Sequence, residues 1–345
     1  MEYTREERAY LWLFACTELD YRTRVSVLRA ARDPARLFSG FPVENTEGDR
    51  EQAANEFLAR LAEKGYFAVT LISEDYPEAL KAIPDPPLVL YGAGNRALLK
   101  RRKFCIVGSR VTPPWAEQFG KTASAELAKS FAVVTGLAEG GDSAAIAGAI
   151  SSGNLICVLP CGLNECYPAS HASLKEKIRK NGLLLSEYLP CDPASKYAFH
   201  ARNRILAGLS EGVLVLSAGE RSGALITANR AAEYGRDVFA LPYSLGTSRG
   251  AGCNELIKRG AFLVTEVEDV LSVYGIEHKL QRETAFTPQE ERVLEVLRTG
   301  GEVHLAEVAE KAGLLIFEAA AILSALELKG AAVKSGGNRF AAVRS

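Results

Sequence analysis

Between residues 103 and 265 the chain alternates short apolar runs with helical patterns, and that alternation restricts its fold more than any other feature. The runs are "KFCIVG", "FAVVTG", "LICVLP", "GLLLSE", "GVLVLS", "DVFAL" and "AFLVT". Each is almost continuously apolar, as strands covered on both faces are. The stretches between them, such as "PWAEQFGKTASAELAKS", "ARNRILAGLS" and "ALITANRAAEYG", place apolar residues three and four apart. Strand–helix repetition of this kind predicts an α/β fold, a doubly wound and mostly parallel sheet with right-handed crossovers.

The flanks read differently. Residues 1–65 carry three helical patterns, "EERAYLWLFACTEL", "YRTRVSVLRAA" and "REQAANEFLARLAEKG", broken by the turn-rich "FSGFPVENTEGD". The α/β segment is set at 66–276. It opens on "YFAVTLISEDYPEALKAIPDPPLVLYGAG", whose prolines predict an extended connection. A polar linker follows at 277–285. Residues 286–345 read as three helices and a hairpin, a winged-helix module. Thr287 with Pro288 and Glu290 has the pattern of a capped helix start.

Bulk properties exclude several function classes. The 345 residues suit two or three domains, and a net charge of -1 gives no global positive field. A nucleic-acid partner would therefore need a local basic patch. Seven cysteines form no CxxC pair and four histidines are scattered, so no metal site is expected and the thiols read as free ones in a reducing cytosol. The N-terminus "MEYTREERAY" lacks a signal-peptide pattern, and no apolar stretch reaches the ~18 residues of a membrane span. A cytoplasmic protein without a membrane partner is expected.

Ligands of open α/β sheets sit at the carboxyl ends of the strands, so the loops there matter most. The first strand runs into Gly108, Ser109 and Arg110, and the second into Gly140, Gly141 and Asp142. "AGERSGALIT" supplies Ser222, Gly223 and Thr227, and "YSLGTSRGAGCNE" supplies Asn254. Glycine- and serine-rich loops that enter helix N-termini suit phosphate. Several on one rim suggest a run of phosphates. Lys196 and Phe199 lie together in "KYAF", read as a loop, where a cation and a ring are what single-stranded nucleic acid needs. The alternative is that Phe199 and Tyr197 fill core gaps. "LLKRRKF" (Arg101, Arg102, Lys103) reads as solvated surface.

Arg202, Asn203 and Arg204 of "FHARNRILAGLS" fan out at about 100° per residue on a helix. They cannot all face one ligand, so at least one arginine is expected to brace the loops. No cofactor is expected: "VGSRVTPPW" is not GxGxxG, and GxxxxGK[ST] is absent. Nor is catalysis, because Ser143 and Ser222 have no evident histidine partner. Glu139 and Asp142 could form an acid–base pair, although helix capping by Asp142 is the simpler reading.

The motifs "IVGSR", "VVTGLAEGGDSAA", "VLPCGLNECYP", "FHARNRILAGLS", "SGALITANRAAEYGRDVFALP" and "GCNELIKRGA" resemble, in order over about 66–276, the bacterial DNA-processing protein A family, DprA, also called Smf. The resemblance implies an extended Rossmann-like fold used without a dinucleotide, with a sterile-alpha-motif-like domain before it and a winged helix after it. It implies a dimer that binds and protects single-stranded DNA in natural transformation and helps load the recombinase RecA. It carries the DNA groove onto Arg110, Lys196, Phe199, Ser222 and Gly223. Several positions depart from the family pattern: Ile146 stands where His is usual, Pro160 and Asn164 where Gly and Asp are common, Ser217 where an acid is usual, and Tyr243 where Gly is usual. A role for that histidine or acid does not carry over.

Two other classes compete. A nucleoside-monophosphate-processing enzyme could share the phosphate loops, but "AGERSGALIT" does not match a PGGxGT loop. A winged-helix regulator would need a basic recognition helix, and "IFEAAAILSALELKG" is acidic and alanine-rich. An auxiliary or protein-contact role is expected for that segment.

Overall fold

The computed structural model describes residues 2–30, 34–37, 47–276, 286–329, 331–335 and 337–342. The linker at 277–285 and most of "FSGFPVENTEGD" lie outside them. The described chain divides into two compact units, 1–277 and 278–345.

All seven apolar runs form strands of one nine-stranded sheet. They are β3 (Lys103–Val107), β4 (Ala132–Thr135), β5 (Leu155–Val158), β6 (Leu183–Ser186), β7 (Gly212–Val215), β8 (Asp237–Ala240) and β9 (Phe262–Leu263). Two more strands precede them, β1 (Tyr66–Thr70) and β2 (Val89–Gly94). The spatial order is β1-β2-β6-β5-β4-β3-β7-β8-β9. Every neighbouring pair from β6 to β9 is parallel, whereas β1–β2 and β2–β6 are antiparallel. The central strands are buried throughout, which is why they read as unbroken apolar runs. From β3 the chain winds to β4, β5 and β6 on one side, then crosses to β7 on the other. That reversal opens a crevice at the carboxyl ends of β3 and β7. The fold is the expected α/β Rossmann-like one.

The N-terminal helices Arg5–Ala15, Tyr21–Ala30 and Glu47–Glu63 contribute to the same apolar core. Leu11, Leu13, Phe57 and Leu61 join Tyr91 and Phe104 in it. The Tyr3 hydroxyl donates to Ala68 O at 3.1 Å and accepts from Ala68 N at 3.0 Å, which ties the first residues to β1.

The second unit holds helices Pro288–Gly300, Leu305–Ala312 and Ile316–Leu328 and three short strands, β10 (Val303–His304), β11 (Ala332–Ser335) and β12 (Arg339–Ala342). Their order is β10-β12-β11, around a core of Val293, Leu297, Val308, Leu323 and Phe340. Thr287 and Glu290 form the reciprocal capping box that their spacing predicts.

Three local expectations change. "KYAF" is no loop. It is the first turn of helix Lys196–Leu209, because Ser195 caps Ala198 N at 3.2 Å. Asp142 is no cap: Gly140 holds the N-cap position, and the Asp142 carboxylate instead accepts from Ala138 N at 3.2 Å. Lys103 is not solvated surface. It begins the central β3, and its ammonium donates to Leu99 O and Arg101 O, both at 2.7 Å.

Burial pushes the Lys103 amine down from 10.5 to about 8. The unfolded chain thus binds more protons than the folded one between those values, so this group makes stability rise with pH across that window. Lys103→Met should lack that rise. Denaturant unfolding of both chains below and above the window checks it, and parallel pH profiles would refute it.

Candidate nucleic-acid interface

A cavity of about 670 Å³ occupies the β3–β7 crevice. Its floor is set by helix Lys196–Leu209, which crosses behind the loops. Arg202 is only 5% exposed. Its guanidinium donates to Val158 O and, at 3.2 Å, to Asn203 Oδ1. Asp142 faces it across Gly136: a methyl placed on Gly136 would lie 2.3 Å from Asp142 Oδ2 and 2.4 Å from a terminal nitrogen of Arg202. Burial pushes the Asp142 carboxyl up, against the pull of Arg202. Burial likewise holds Arg202 below its ordinary value, against the pull of Asp142. Arg202 therefore braces the β4 and β5 loops from beneath. Asn203 continues the brace, donating to Gly223 O at 3.3 Å.

The rim is different in kind. Arg110 is exposed, and its guanidinium lies 5.7 Å from the Phe199 ring and 5.9 Å from the Tyr167 ring. The two rings meet edge to face at 5.0 Å. Lys196, Arg221 and Arg249 also line the cavity and are exposed. Among the described residues, none of these four cations meets a carboxylate within ion-pair distance. Surface arginines elsewhere do: Arg102 with Glu211 at 2.7 Å, Arg179 with Glu176 at 2.8 Å, and Arg259 with Glu255 at 2.9 Å. Exposed cations gathered round a concavity, none of them in an ion pair, leave an electrostatic need for an anion.

Ser222 caps helix Gly223–Glu233 by accepting from Ala224 N at 3.3 Å. The positive end of that helix, with Gly223 and the buried Thr227, opens on the cavity. Gly108 and Ser109 line it too. The Arg110 loop is pinned by Ser217, which is fully buried. Ser217 Oγ accepts from Ser109 N at 3.2 Å and bonds the hydroxyls of Ser109 and Thr112 at 2.7 and 2.8 Å.

Four residues expected on the interface lie outside the cavity lining. Gly140 and Gly141 pack against the Arg110 loop: a Cβ on Gly141 would come within 2.4 Å of Gly108 Cα. Their smallness lets two loops meet. Arg204 turns to the far side of its helix and pairs with Glu187 at 2.6 Å and Asp85 at 3.1 Å. Asn254 accepts from Tyr243 N at 3.0 Å and donates to Tyr243 O at 2.8 Å, so it is a loop staple. Glu139 is exposed and off the lining, so it forms no acid–base pair with buried Asp142 in the cavity. Sequence reasoning missed Tyr167, Arg221 and Arg249. The two arginines carried a usable signal, as basic residues in strand-end loops. Tyr167 carried none, because its partner Phe199 is distant in sequence.

A family described as DNA recombination-mediator protein A matches residues 67–275. The chain belongs to that family. The DNA processing protein DprA of Streptococcus pneumoniae is 41% identical over 206 residues, 59% of this chain and 73% of that protein. Its crystal structure superposes with a TM-score of 0.64 at 34% identity, covering 81% of this chain and all of that one. Protein Smf of Escherichia coli is 36% identical over 318 residues, 88% and 83% of the two chains. A DNA processing protein A structure from Helicobacter pylori, described for its single-stranded DNA binding mode, has a TM-score of 0.55 at 33% identity and covers 61% of this chain and 95% of that one. A hydroxyl at 217 secures the Arg110 loop without placing a negative charge beneath it. Ile146 is buried in the core and reaches no ligand surface.

Proposed function

We propose that this chain binds single-stranded DNA along the β3–β7 crevice, protects it, and helps load RecA onto it in natural transformation or a related recombination task. One observation carries the reading: four exposed cations without acidic partners surround a cavity that also offers the Arg110–Phe199–Tyr167 cluster. The cations suit phosphates and the rings suit bases. The Helicobacter pylori relative, described for its single-stranded DNA binding, supports it. The contribution of the protein is holding the strand; no reaction step is assigned to it. We divide the chain as 1–65, a helical sterile-alpha-motif-like domain; 66–276, the DNA-binding domain; 277–285, a linker; and 286–345, a winged helix. We place it in the cytoplasm as a homodimer. Among the described residues no helix is long and apolar enough to cross a membrane.

Titration with single- and double-stranded DNA at several salt concentrations tests the reading. Single strands should bind more tightly. Each neutralised phosphate should contribute about -0.7 to the slope of log K against log salt, giving about -3 for four cations. Equal affinity for duplex, or a flat salt profile, would overturn it. Product formation from a nucleoside-monophosphate panel would replace it with the enzymatic alternative. RecA loading is tested separately, by whether the chain shortens the lag of RecA filament formation on a protein-coated single strand.

A further inference from the structure

We propose that Trp115, seated against Tyr243, is a second base-stacking platform beside the same groove, separate from the Phe199–Tyr167 pair. This rests on the single-stranded DNA reading above and names a part of the site that the binding cavity itself does not contain.

Trp115 sits in the first turn of helix Pro114–Ser130, just after the Arg110 loop. It is 51% exposed, whereas the other tryptophan, Trp12, is 3% exposed within the N-terminal helices. The Trp115 ring is not loose. It packs on Tyr243 with centroids 5.0 Å apart, and the Tyr243 hydroxyl donates to Leu216 O at 2.7 Å. Asn254 fixes the Tyr243 backbone on both sides. Gly250 leaves the room: a Cβ there would fall 1.9 Å from Tyr243 Cγ. A large ring is thus rigidly mounted with half its surface in water, an arrangement that stacking uses and core packing does not.

The loops place this ring beside the groove. Tyr167 lies on the β5 loop, Arg110 follows β3, and Tyr243 follows β8. Arg110 and Val111 line the cavity and Trp115 opens the helix that follows them, while Ser248 and Arg249 line it beside Gly250, which packs on Tyr243. Val111 and Leu245, 58% and 98% exposed, add apolar surface to the same two loops, after β3 and after β8. A strand held by Phe199, Tyr167 and Arg110 that continues across the rim meets Trp115 next.

The full chain is titrated with fluorescein-labelled oligothymidylate, and anisotropy and tryptophan emission are read together. Stacking should quench the emission of Trp115 while Trp12 stays constant, and Trp115→Phe should abolish the quench. Trp115→Ala should weaken binding about five- to hundredfold, the span one stacked base contributes, and Trp115→Phe should recover most of that loss. Binding by anisotropy with unchanged tryptophan emission, together with wild-type affinity for Trp115→Ala, overturns the proposal and leaves the DNA reading standing. No anisotropy change with the wild-type chain overturns both. A Trp115→Ala chain that sediments at lower mass than wild type assigns the ring to a contact between copies and also overturns it.

Discussion

Arg202→Ala should cost the 1–277 unit about 3–5 kcal/mol of stability, the usual result of stripping a buried charge of its counter-charge. The substitution leaves the buried Asp142 without the guanidinium it faces, removes the donor to Val158 O, and frees Asn203 Oδ1. At about 2–4 °C per kcal/mol, the melting temperature should fall by roughly 10 °C. The pH dependence distinguishes this from simple loss of packing. Burial already raises the Asp142 carboxyl, and without Arg202 it rises further. A group whose folded value is raised contributes most below its unfolded value and loses that contribution as pH climbs through the folded one. The deficit of Arg202→Ala should therefore shrink toward acid pH and grow toward neutrality. Adding Asp142→Leu should recover part of the loss, because two apolar groups replace a stranded charge. Thermal melts of the three chains over a pH series measure all of this. An Arg202→Ala chain as stable as wild type at neutral pH refutes the brace.

Arg110→Ala with Lys196→Ala should weaken single-stranded DNA binding about a hundredfold while leaving the melt unchanged. Each removes one charge-assisted contact of about 1.5–3 kcal/mol, a factor of at least ten. Neither side chain has an ion pair to lose, so the fold should not register the change. The salt slope should become shallower by about 1.4, at 0.7 per phosphate. Arg110→Lys should be intermediate: it keeps the charge but loses the flat guanidinium that lies against Phe199 and Tyr167. Gel shifts at two salt concentrations decide it. Unchanged affinity for both single variants removes Arg110 and Lys196 from the site.

These two experiments separate residues that adjoin in sequence and differ in kind. The parallel sheet was legible because burial on both faces writes itself as unbroken apolar runs. The antiparallel β1 and β2 were not, because prolines and loop residues divide them and nothing in the segment alternates with helices. The rim was legible where a loop carries its own chemistry, as at Arg110 and Ser222. It was not legible where chemistry depends on partners far away in sequence. Arg202 and Arg204 look alike on the chain, yet one faces Asp142 and the other Glu187, and only the fold distinguishes them. Asn254 looked like a phosphate ligand because its loop is glycine-rich, but the Tyr243 backbone claims both ends of its amide. "KYAF" looked like a loop because its polar and aromatic residues hide a helix start that Ser195 alone marks.

Helix Lys196–Leu209 is held at its middle, through Arg202, Asn203 and Arg204, by Val158, Gly223, Glu187 and Asp85. Phe199 and Lys196 are carried on its first turn, so the proposed grip inherits the rigidity of the sheet. A flexible grip would have to surrender backbone and rotamer freedom each time a strand arrived, a loss that weakens association directly. Here that freedom was given up when the chain folded. On the proposed reading, what remains to be ordered on binding is chiefly the DNA.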